Sequence, residues 1–565
     1  MDIEANTPTP TPSKPTAPTT KPSTSTTSLQ PTSSSPALET GIITPLLTRK
    51  FDLKSMLALS FSVLGTWGTL AVGLSSGLSN GGPISILWGF VLVFLCNVCI
   101  ALSLGEMCSA MPTALGQAYY VHRLLESGDG SGGGGGRGGG RFASYMCAWI
   151  NTFGWWTLTA SQVAFMTEFM LGIKVMFSAE WTGAGKGWVQ FVLYLGITGL
   201  FTVVNIISCR RDEILPIFND IVGAWFLALF VIISLALLIS VGTRDGMQFQ
   251  EASFVFGQWL NETGWGDGVV WFTGLLQGAY GLTAFDAVIH LVEEIPQPRK
   301  NAPKVIWLAV LIGAATGWVF MVVCLFSIQD LATVIDGPTG LPFTDLIQQT
   351  VGLQGGCVLL VLFVVNGLGQ GVSIATTGSR LTYGFARDAG IPFSAYFSHV
   401  DHYWKVPARS LWLQGLLVGL IGILYLFAST VLEAILSVAT IALTISYGMP
   451  ILALLLAGRE KLPPGGTFHL GKWGPFINWV SVIYCSITTV FFFFPSEPNP
   501  PAADMNYAIA VFGIMLVIAL GFWFIAGRKT YLMTDDAAMR IEMARRLEGE
   551  EDLSDAVVIT TSKTS

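Results

Sequence analysis

The chain contains 565 residues, of which 52% are hydrophobic and only 12% are charged, and its mean hydropathy is +0.60. This composition excludes a water-soluble globular protein, in which charged residues make up about a quarter of the chain. The net charge of −7 decides little, because in a membrane protein the position of each charge matters more than the sum. The apolar segments are long and continuous, so they predict membrane helices rather than the short alternating strands of a β-barrel.

Polar segments flank the apolar part of the chain. Residues 1–48 consist mainly of Pro, Thr and Ser, which predicts a disordered tail without the charged-then-apolar pattern of a cleaved signal peptide. Residues 528–565 are polar and are predicted to form a second tail. Residues 49–527 are therefore expected to form one membrane domain.

Repeated apolar segments predict an all-α polytopic membrane protein with twelve transmembrane helices, because about 20 helical residues cross about 30 Å of hydrocarbon. The predicted helices cover residues 55–77, 84–106, 143–172, 188–208, 214–241, 268–294, 304–328, 356–384, 409–428, 430–457, 473–494 and 506–527.

The positions of Lys and Arg predict the orientation of these helices. With the N-terminus inside the cell, the outer connections contain only three basic residues, Lys174, Lys186 and Arg244, and the inverted topology would reverse this asymmetry. We therefore expect both termini in the cytoplasm. Without a targeting segment, the plasma membrane is the default location.

The stretch Gly278–Pro303 is unusual for a membrane segment because it contains several ionisable side chains. Such groups cost roughly 2.5–3.5 kcal/mol each at membrane depth, so they usually face the protein interior or water. Early glycines weaken the helix and predict a break near Tyr280. The alternative is a kinked helix whose last two acids already lie at the cytoplasmic water boundary. Four residues share one predicted helical face, at the spacing i, i+4, i+7 and i+8: Asp286, His290, Glu293 and Glu294.

The first predicted helix is interrupted as well. Gly65 and Gly68 lie in its middle, and Gly73 and Gly77 follow. Because the other interrupted helix is the sixth, the two broken helices run in opposite directions. This pattern is typical of a five-plus-five inverted repeat that binds its substrate between the two breaks. Close helix–helix packing is the alternative explanation for Gly65 and Gly68.

A helix break at membrane depth has a physical consequence. Unwinding frees backbone N–H and C=O groups that lipid cannot satisfy, so a break must face protein or a ligand. The N-terminus of a half-helix attracts a carboxylate, whereas freed carbonyl groups attract an ammonium group. Glycine also removes the side chain that would block such an approach. The two breaks therefore predict a binding site.

Other chemistries are not indicated. The eight cysteines carry no metal-ligand spacing and are expected to be core residues. The glycine-rich loop 126–141 lacks the following Lys-Ser/Thr and the preceding strand of a phosphate-binding loop. The five histidines are scattered, with no nucleophile–base pair, so an enzyme, a metal site and a cofactor are not expected.

Five motifs carry a resemblance that spans roughly residues 50–528. They are Ser103–Met107 with Met111–Tyr120, Asn261–Trp265, Phe285–Ala287 with His290, Glu293, Glu294, Pro296 and Pro298, Ser379-Arg380 with Phe385–Ser394, and Asp504–Tyr507. On these motifs the chain resembles the amino acid–polyamine–organocation superfamily of transporters, and within it the fungal amino-acid, GABA and choline permeases. The resemblance implies the same five-plus-five inverted repeat, with two extra helices.

The resemblance also implies roles for particular residues. The unwound part of the first helix would bind the substrate carboxylate or its equivalent through backbone groups, and the sixth helix would contribute backbone groups and an aromatic gate at Tyr280. Asp286 falls where related bacterial antiporters carry an acid tied to gating and proton handling. The implied binding residues are Gly65, Thr66, Trp67, Gly68, Thr69, Ala279, Tyr280, Gly281, Leu282 and Thr283.

Coupling and gating are assigned to acids. Asp286 is the first candidate, and Asp220, Glu293 and Glu294 are the others. Proton-coupled relatives often carry a lysine in the middle of the fifth helix, whereas Leu215–Val241 contains Asp220 and no lysine. In the inner loops, Arg387 and Asp388 are expected to pair with other loops.

A cationic substrate is a further alternative. Glu168 and Glu433 stand where relatives usually lack acids, and either could favour a cation. An aromatic cage is also conceivable, with about 0.5–2 kcal/mol per cation–π contact. For Trp155 and Trp156 the alternative is plain packing. The cage candidates are Trp67, Trp155, Trp156 and Tyr280.

The leading hypothesis is a secondary active transporter that imports a small amino acid or amine, with a proton as the coupling ion. A transporter of choline, another quaternary amine or a polyamine is the alternative within the same class. A nutrient sensor with little flux is the alternative of another class. The expected partners are the small-molecule substrate, a proton and the lipid bilayer, with no nucleic acid.

Overall fold

The computed structural model describes residues 51–126, 137–335, 337–401, 403–404, 406–427, 431–501, 505 and 507–533, except for the side chains of residues 137, 138, 431 and 433. Both predicted tails lie largely outside this range. The disorder predicted for residues 1–48 falls outside it entirely and stays a prediction.

In the described part of the chain, eleven helices are long and apolar enough to cross a membrane. The twelfth is the broken sixth helix, so the count agrees with the twelve predicted from hydropathy. The long helices are α1 (Leu53–Val72), α2 (Gly82–Ala110), α3 (Gly139–Phe177), α4 (Gly187–Cys209), α5 (Ile214–Thr243), α7 (Pro298–Ser327), α8 (Leu353–Arg387), α9 (Ala408–Leu426), α10 (Ala434–Ala457), α11 (Gly471–Phe491) and α12 (Ala508–Thr530). The sixth, α6, runs over Asp267–Gly281 and resumes at Ala287–His290.

The break in α1 is made by one residue. Gly65 adopts a left-handed conformation with φ of +57°, which separates the segments Leu53–Leu64 and Thr66–Val72. This conformation is accessible to glycine at little cost, whereas other residues are strained there. The Gly65 N–H closes the first segment by donating to the Phe61 carbonyl at 3.1 Å. The predicted interruption of the first helix is therefore confirmed at Gly65.

The predicted break of α6 near Tyr280 is confirmed. The regular helix continues through Tyr280 and ends at Gly281, and the chain turns at Ala284, which has a φ of +78°. An alanine in this region is strained by roughly 1–3 kcal/mol and must be held by its surroundings. The Ala284 N–H donates to the Tyr447 hydroxyl of α10 at 3.1 Å, and this hydrogen bond helps to keep Ala284 in its strained conformation.

The prediction of one continuous helical face after the break is wrong. Asp286 precedes a four-residue helix, Ala287–His290, and a 3₁₀ turn follows at Val292–Glu294. Because the helical geometry changes between them, Asp286 and His290 share contacts, while the two glutamates point to other partners.

The glycines of α1 and α6 allow the two broken helices to touch. A Cβ atom on Gly281 would lie 3.1 Å from the Thr69 hydroxyl, so these segments are in close contact. Gly77 lies in the short helix Leu74–Ser79 that follows α1, and a Cβ atom there would lie 1.9 Å from the Gln277 side-chain oxygen. Gln277 uses this space to donate to the Leu70 carbonyl at 2.7 Å, which ties α6 to α1.

The remaining helices surround this pair. α3 packs against α8 and α10, and α1 packs against α5 and α7. After α2 the chain enters the interior through Met111–Gly116 and forms the short helix Gln117–Leu125, which packs on α3 and α10. This connection brings a buried glutamine beneath the break in α6.

Candidate functional site

A cavity of about 480 Å³ opens beside the two broken helices. Its mouth includes the exposed residues Glu262 and Glu497, and its inner end includes Thr69, Phe165 and Tyr280. Hydroxyl-bearing side chains of Ser, Thr and Tyr make up much of the wall. A small polar molecule could therefore enter from this side and reach the breaks in α1 and α6.

Tyr280 forms part of the inner wall of the cavity. Its hydroxyl lies 2.8 Å from the Ser161 hydroxyl of α3, and its ring meets the Phe165 ring edge-on with a centroid distance of 5.9 Å. The residue thus connects α6 to α3 between the cavity and the deeper interior. This position is compatible with the aromatic gate implied by the resemblance, which stays a prediction.

The Asp286 carboxylate lies at the centre of a buried polar cluster. Its Oδ1 atom accepts a hydrogen bond from the Tyr447 hydroxyl at 2.6 Å. Its Oδ2 atom accepts from Gln117 Nε2 at 2.8 Å and from Trp155 Nε1 at 3.4 Å. The side chain is fully buried, as expected for a carboxylate whose oxygens are matched by donors from other elements. We define Asp286, His290, Gln117, Asn151, Trp155 and Tyr447 as the central polar cluster.

His290 is the second ionisable member of the central polar cluster. Its Nε2 atom lies 2.9 Å from Asp286 Oδ2, and its Nδ1 atom lies 3.0 Å from the Ala114 carbonyl oxygen. Asn151 Nδ2 donates to Gln117 Oε1 at 3.1 Å and lies 3.4 Å from His290 Nε2. The i, i+4 spacing of Asp286 and His290 in the sequence thus corresponds to a direct contact.

Gly116 explains how the connection after α2 can reach this cluster. It has a φ of +56°, and a Cβ atom at this position would lie 2.8 Å from Ile289 Cγ2. Glycine is therefore required both for the backbone conformation and for the close approach to α6. This contact places Gln117 next to Asp286.

Glu293 and Glu294 bind arginines of α8 rather than extending the cluster. Arg380 Nε donates to Glu294 Oε1 at 2.8 Å, and both side chains are 1% exposed. Arg387 binds Glu293 through both terminal nitrogens, at 3.0 and 2.8 Å. Phe51, the first described residue, donates its N–H to the Glu294 carbonyl at 3.2 Å. Because the described chain begins here, we name this end of the bundle the N-terminal face. The predicted pairing of Arg387 is confirmed. The alternative that the two glutamates lie at the cytoplasmic water boundary stays a prediction.

In the described part of the chain, a cavity thus opens on one side and two ion pairs lie on the other. The cavity reaches down to Tyr280, the central polar cluster lies below it, and the two ion pairs close the N-terminal face.

The proposed aromatic cage is not assembled. Trp67 is fully buried and stacks on Phe226 at 4.7 Å, with Phe320 at 4.9 Å. Trp155 faces His290, whereas Trp156 donates to the Thr382 hydroxyl and packs on another tryptophan. Among the described ring contacts, none joins these tryptophans to Tyr280. Plain packing accounts for Trp67 and Trp156, while Trp155 belongs to the central polar cluster.

The other acids proposed from the sequence lie apart from the cluster. Asp220 is 32% exposed and lies 3.9 Å from the Lys54 ammonium group. Glu168 accepts a hydrogen bond from the Tyr425 hydroxyl at 3.1 Å, and it does not line the cavity. The side chain of Glu433 lies outside the described residues. Among the predicted coupling residues, Asp286 is the one that belongs to the central polar cluster, and its coupling role stays a prediction.

Of the ten predicted binding residues, the structure places Thr69 and Tyr280 on the cavity wall. A Cβ atom on Gly68 would lie 3.3 Å from the Phe363 ring, which fits the packing explanation for this glycine. The others lie buried at the two breaks, next to the wall rather than on it: Gly65, Thr66, Trp67, Ala279, Gly281, Leu282 and Thr283. Their binding role stays a prediction.

The sequence alone does not identify three members of the central polar cluster as site residues. Gln117 is a polar residue within the motif Met111–Tyr120, and this position is the feature of the sequence that could have identified it as a site residue. Asn151 and Tyr447 are single polar residues in predicted membrane helices, and their connection to Asp286 depends on the packing of α3 and α10 against α6.

Comparisons with known proteins agree with this architecture. A family profile described as "Amino acid permease" matches residues 51–519. The "Choline transporter" of Saccharomyces cerevisiae is 30% identical over 487 residues, which cover 86% of this chain and 83% of that protein. "Amino-acid permease BAT1" of Arabidopsis thaliana is 26% identical and covers 86% of this chain and 93% of its own.

A solved structure shows the same fold. The crystal structure of MhsT in complex with L-phenylalanine aligns with a TM-score of 0.51 at 14% identity, covering 78% of this chain and 97% of that chain. The predicted all-helical fold with broken first and sixth helices is thereby confirmed. Given the profile match and the 30% identity over most of the chain, this protein belongs to the amino acid permease family of the amino acid–polyamine–organocation superfamily and is a secondary transporter of amino acids or amines.

Proposed function

We propose that this transporter imports a small amino acid or amine together with protons, across the plasma membrane and with both termini in the cytoplasm. The observation that carries the proton coupling is the central polar cluster. Asp286 and His290 are ionisable groups that are fully buried at membrane depth, below the cavity and above the closed N-terminal face. Ionisable residues in such positions commonly serve proton relays in transporters, since their retention is otherwise costly.

Uptake by a permease-deficient cell that expresses this chain tests the proposal. Labelled GABA, choline, neutral and basic amino acids and a polyamine would each be supplied with and without a protonophore. We expect one of these compounds to accumulate against its gradient and the accumulation to collapse with the protonophore. Accumulation that survives the protonophore would contradict proton coupling. Binding without accumulation, from protein at the cell surface, would favour the nutrient sensor.

An organic cation is a second candidate substrate. The charged side chains on the described wall of the cavity are Glu262 and Glu497, which are both carboxylates at its mouth. A cleft lined by one sign of charge raises the local concentration of the opposite sign and speeds its association. The similarity to a choline transporter supports the same alternative. The cation would be recognised at the mouth of the cavity rather than by the tryptophan cage.

Replacing both Glu262 and Glu497 with Gln tests the role of this mouth. If the substrate is a cation, we expect KM to rise severalfold with little change in the maximal rate, because the carboxylates act on entry. The dependence of uptake on ionic strength should weaken in parallel. Glu251→Gln is the matched control, since Glu251 is exposed and does not line the cavity. An unchanged KM for choline in the double variant would contradict cation attraction at the mouth.

A further inference from the structure

The hydrogen bonds of His290 determine where its protons lie. Its Nδ1 atom faces the Ala114 carbonyl oxygen at 3.0 Å, and a carbonyl oxygen only accepts hydrogen bonds. Nδ1 must therefore carry a proton and donate it. Nε2, the other ring nitrogen, is then the only atom of the imidazole ring that can gain or lose a proton while this contact is kept.

Nε2 faces the Asp286 carboxylate at 2.9 Å. Two bare acceptors at this distance repel each other, so one proton must lie between them. It can reside on the imidazole, which gives an imidazolium beside a carboxylate, or on Asp286 Oδ2, which gives a neutral pair. In the second arrangement the single lone pair of Nε2 accepts from the carboxylic acid, and Asn151 Nδ2, which is 3.4 Å from Nε2, donates to Gln117 Oε1. Either way the pair holds one proton.

The other partners of Asp286 cannot replace this proton. The Tyr447 hydroxyl accepts from the Ala284 N–H and donates its own proton to Asp286 Oδ1, so its hydrogen bonds are fixed by the break in α6. Gln117 Nε2 and Trp155 Nε1 are donors that do not titrate. A proton lost from the pair therefore leaves the Asp286 carboxylate and the neutral Nε2 atom facing each other.

The surroundings of the pair supply few other charges. Tyr447 faces it from α10, and Tyr120, in the helix after α2, lies within electrostatic range of Asp286. From α8, Arg380 and Arg387 are engaged by the two glutamates that follow on the chain. On two further neighbouring helices, Lys54 of α1 lies near Asp220, and Arg299 of α7 donates to the Ser109 carbonyl. Lys300 and Lys304 of α7 are exposed.

We propose that the single proton shared by Asp286 Oδ2 and His290 Nε2 is the coupling proton, so that His290 is half of the proton-binding site. This proposal rests on the proton-coupled transport proposed above. The loaded pair holds the α6 break against Ala114 and Gln117, and the carrier with proton and substrate bound can open either face in turn. Once the N-terminal face is open, the proton passes to water, and no other bond is made or broken. The Asp286 carboxylate and the neutral Nε2 atom then repel each other, which loosens the attachment of the α6 break.

His290→Gln tests the proposal, because an amide can still donate to Asp286 but cannot carry a proton in exchange. Two assays in proteoliposomes separate coupling from binding. Concentrative uptake needs proton release, whereas counterflow exchange of labelled for unlabelled substrate does not. We expect concentrative uptake to fall at least tenfold and to lose its dependence on external pH, while counterflow stays within about twofold of the unaltered protein. His469→Gln, in an exposed loop, is the matched control.

The outcomes divide clearly. Concentrative uptake with an unchanged pH profile in His290→Gln would overturn the proposal, and so would loss of counterflow from protein that is folded. If His290→Gln does not fold, a second measurement tests the proposal. The reversal potential of the unaltered protein gives the number of protons transported per substrate molecule. One proton per substrate supports the shared site, and two protons would overturn the proposal. If uptake by the unaltered protein is insensitive to the protonophore, the proposed function itself would be overturned.

Discussion

Asp286→Asn is expected to abolish net uptake while leaving the amount of protein at the cell surface near normal. Asparagine keeps the shape of the side chain but removes both the charge and the exchangeable proton. Its amide group can donate to His290 Nε2, while its oxygen accepts from the Tyr447 hydroxyl, which imitates the loaded pair permanently. Gln117 Nε2 would then meet a donor instead of Asp286 Oδ2. We expect this mismatch to cost roughly 1–3 kcal/mol, which a folded protein can tolerate.

The measurement is uptake of labelled substrate by cells with matched surface levels, determined by labelling intact cells. Net uptake should fall by at least tenfold, and counterflow should be retained. Asp220→Asn is the informative comparison, because Asp220 was the other candidate for coupling and lies 3.9 Å from Lys54 with 32% of its side chain exposed. Uptake at the original rate in Asp286→Asn would remove this residue from the mechanism. Loss of uptake only in Asp220→Asn would move the coupling site to α5.

The sequence predicted the number of helices and the interruption of α1 because both depend on local properties. Apolar segments of sufficient length form membrane helices whatever their neighbours are. Gly65 marks its own break, since it is the residue type that adopts a left-handed conformation at little cost. The break in α6 follows Gly281, as the glycines predict, although Gly278 and Gly281 also have another function. They permit close packing against Phe90 and Thr69, while the turn itself falls on Ala284.

The candidate site was predicted only in part, for a related reason. The i, i+4 spacing correctly indicated that Asp286 and His290 are neighbours, because both lie within one turn of the same segment. The partners of Asp286 come from α3, α10 and the connection after α2, and residue spacing carries no information about such contacts. The sequence groups Glu293 and Glu294 with Asp286 only if the helix stays regular after the break. The 3₁₀ turn directs them to Arg387 and Arg380 instead.

Arg380→Met is expected to destabilise the folded protein more than any other single change at the N-terminal face. Arg380 and Glu294 form an ion pair in which both side chains are 1% exposed. Removing one partner leaves the other charge buried and uncompensated, which costs about 3–5 kcal/mol. Arg387→Met should cost less, because the pair of Arg387 with Glu293 is 9% and 10% exposed and water can replace part of the lost contact. Thermal unfolding of the purified variants measures this difference.

The double variant Arg380→Met with Glu294→Met separates stability from function. Replacing both charges of a buried pair by apolar side chains of similar volume is often neutral for stability, so the melting temperature should return close to that of the unaltered protein. If the pair only supports the fold, uptake should return with it. If the pair must break and re-form as the N-terminal face opens and closes, a permanent apolar contact holds the face in one state. We expect this second result: a stable protein whose uptake stays at least tenfold reduced. Full uptake by the double variant would limit the role of Arg380 and Glu294 to stability.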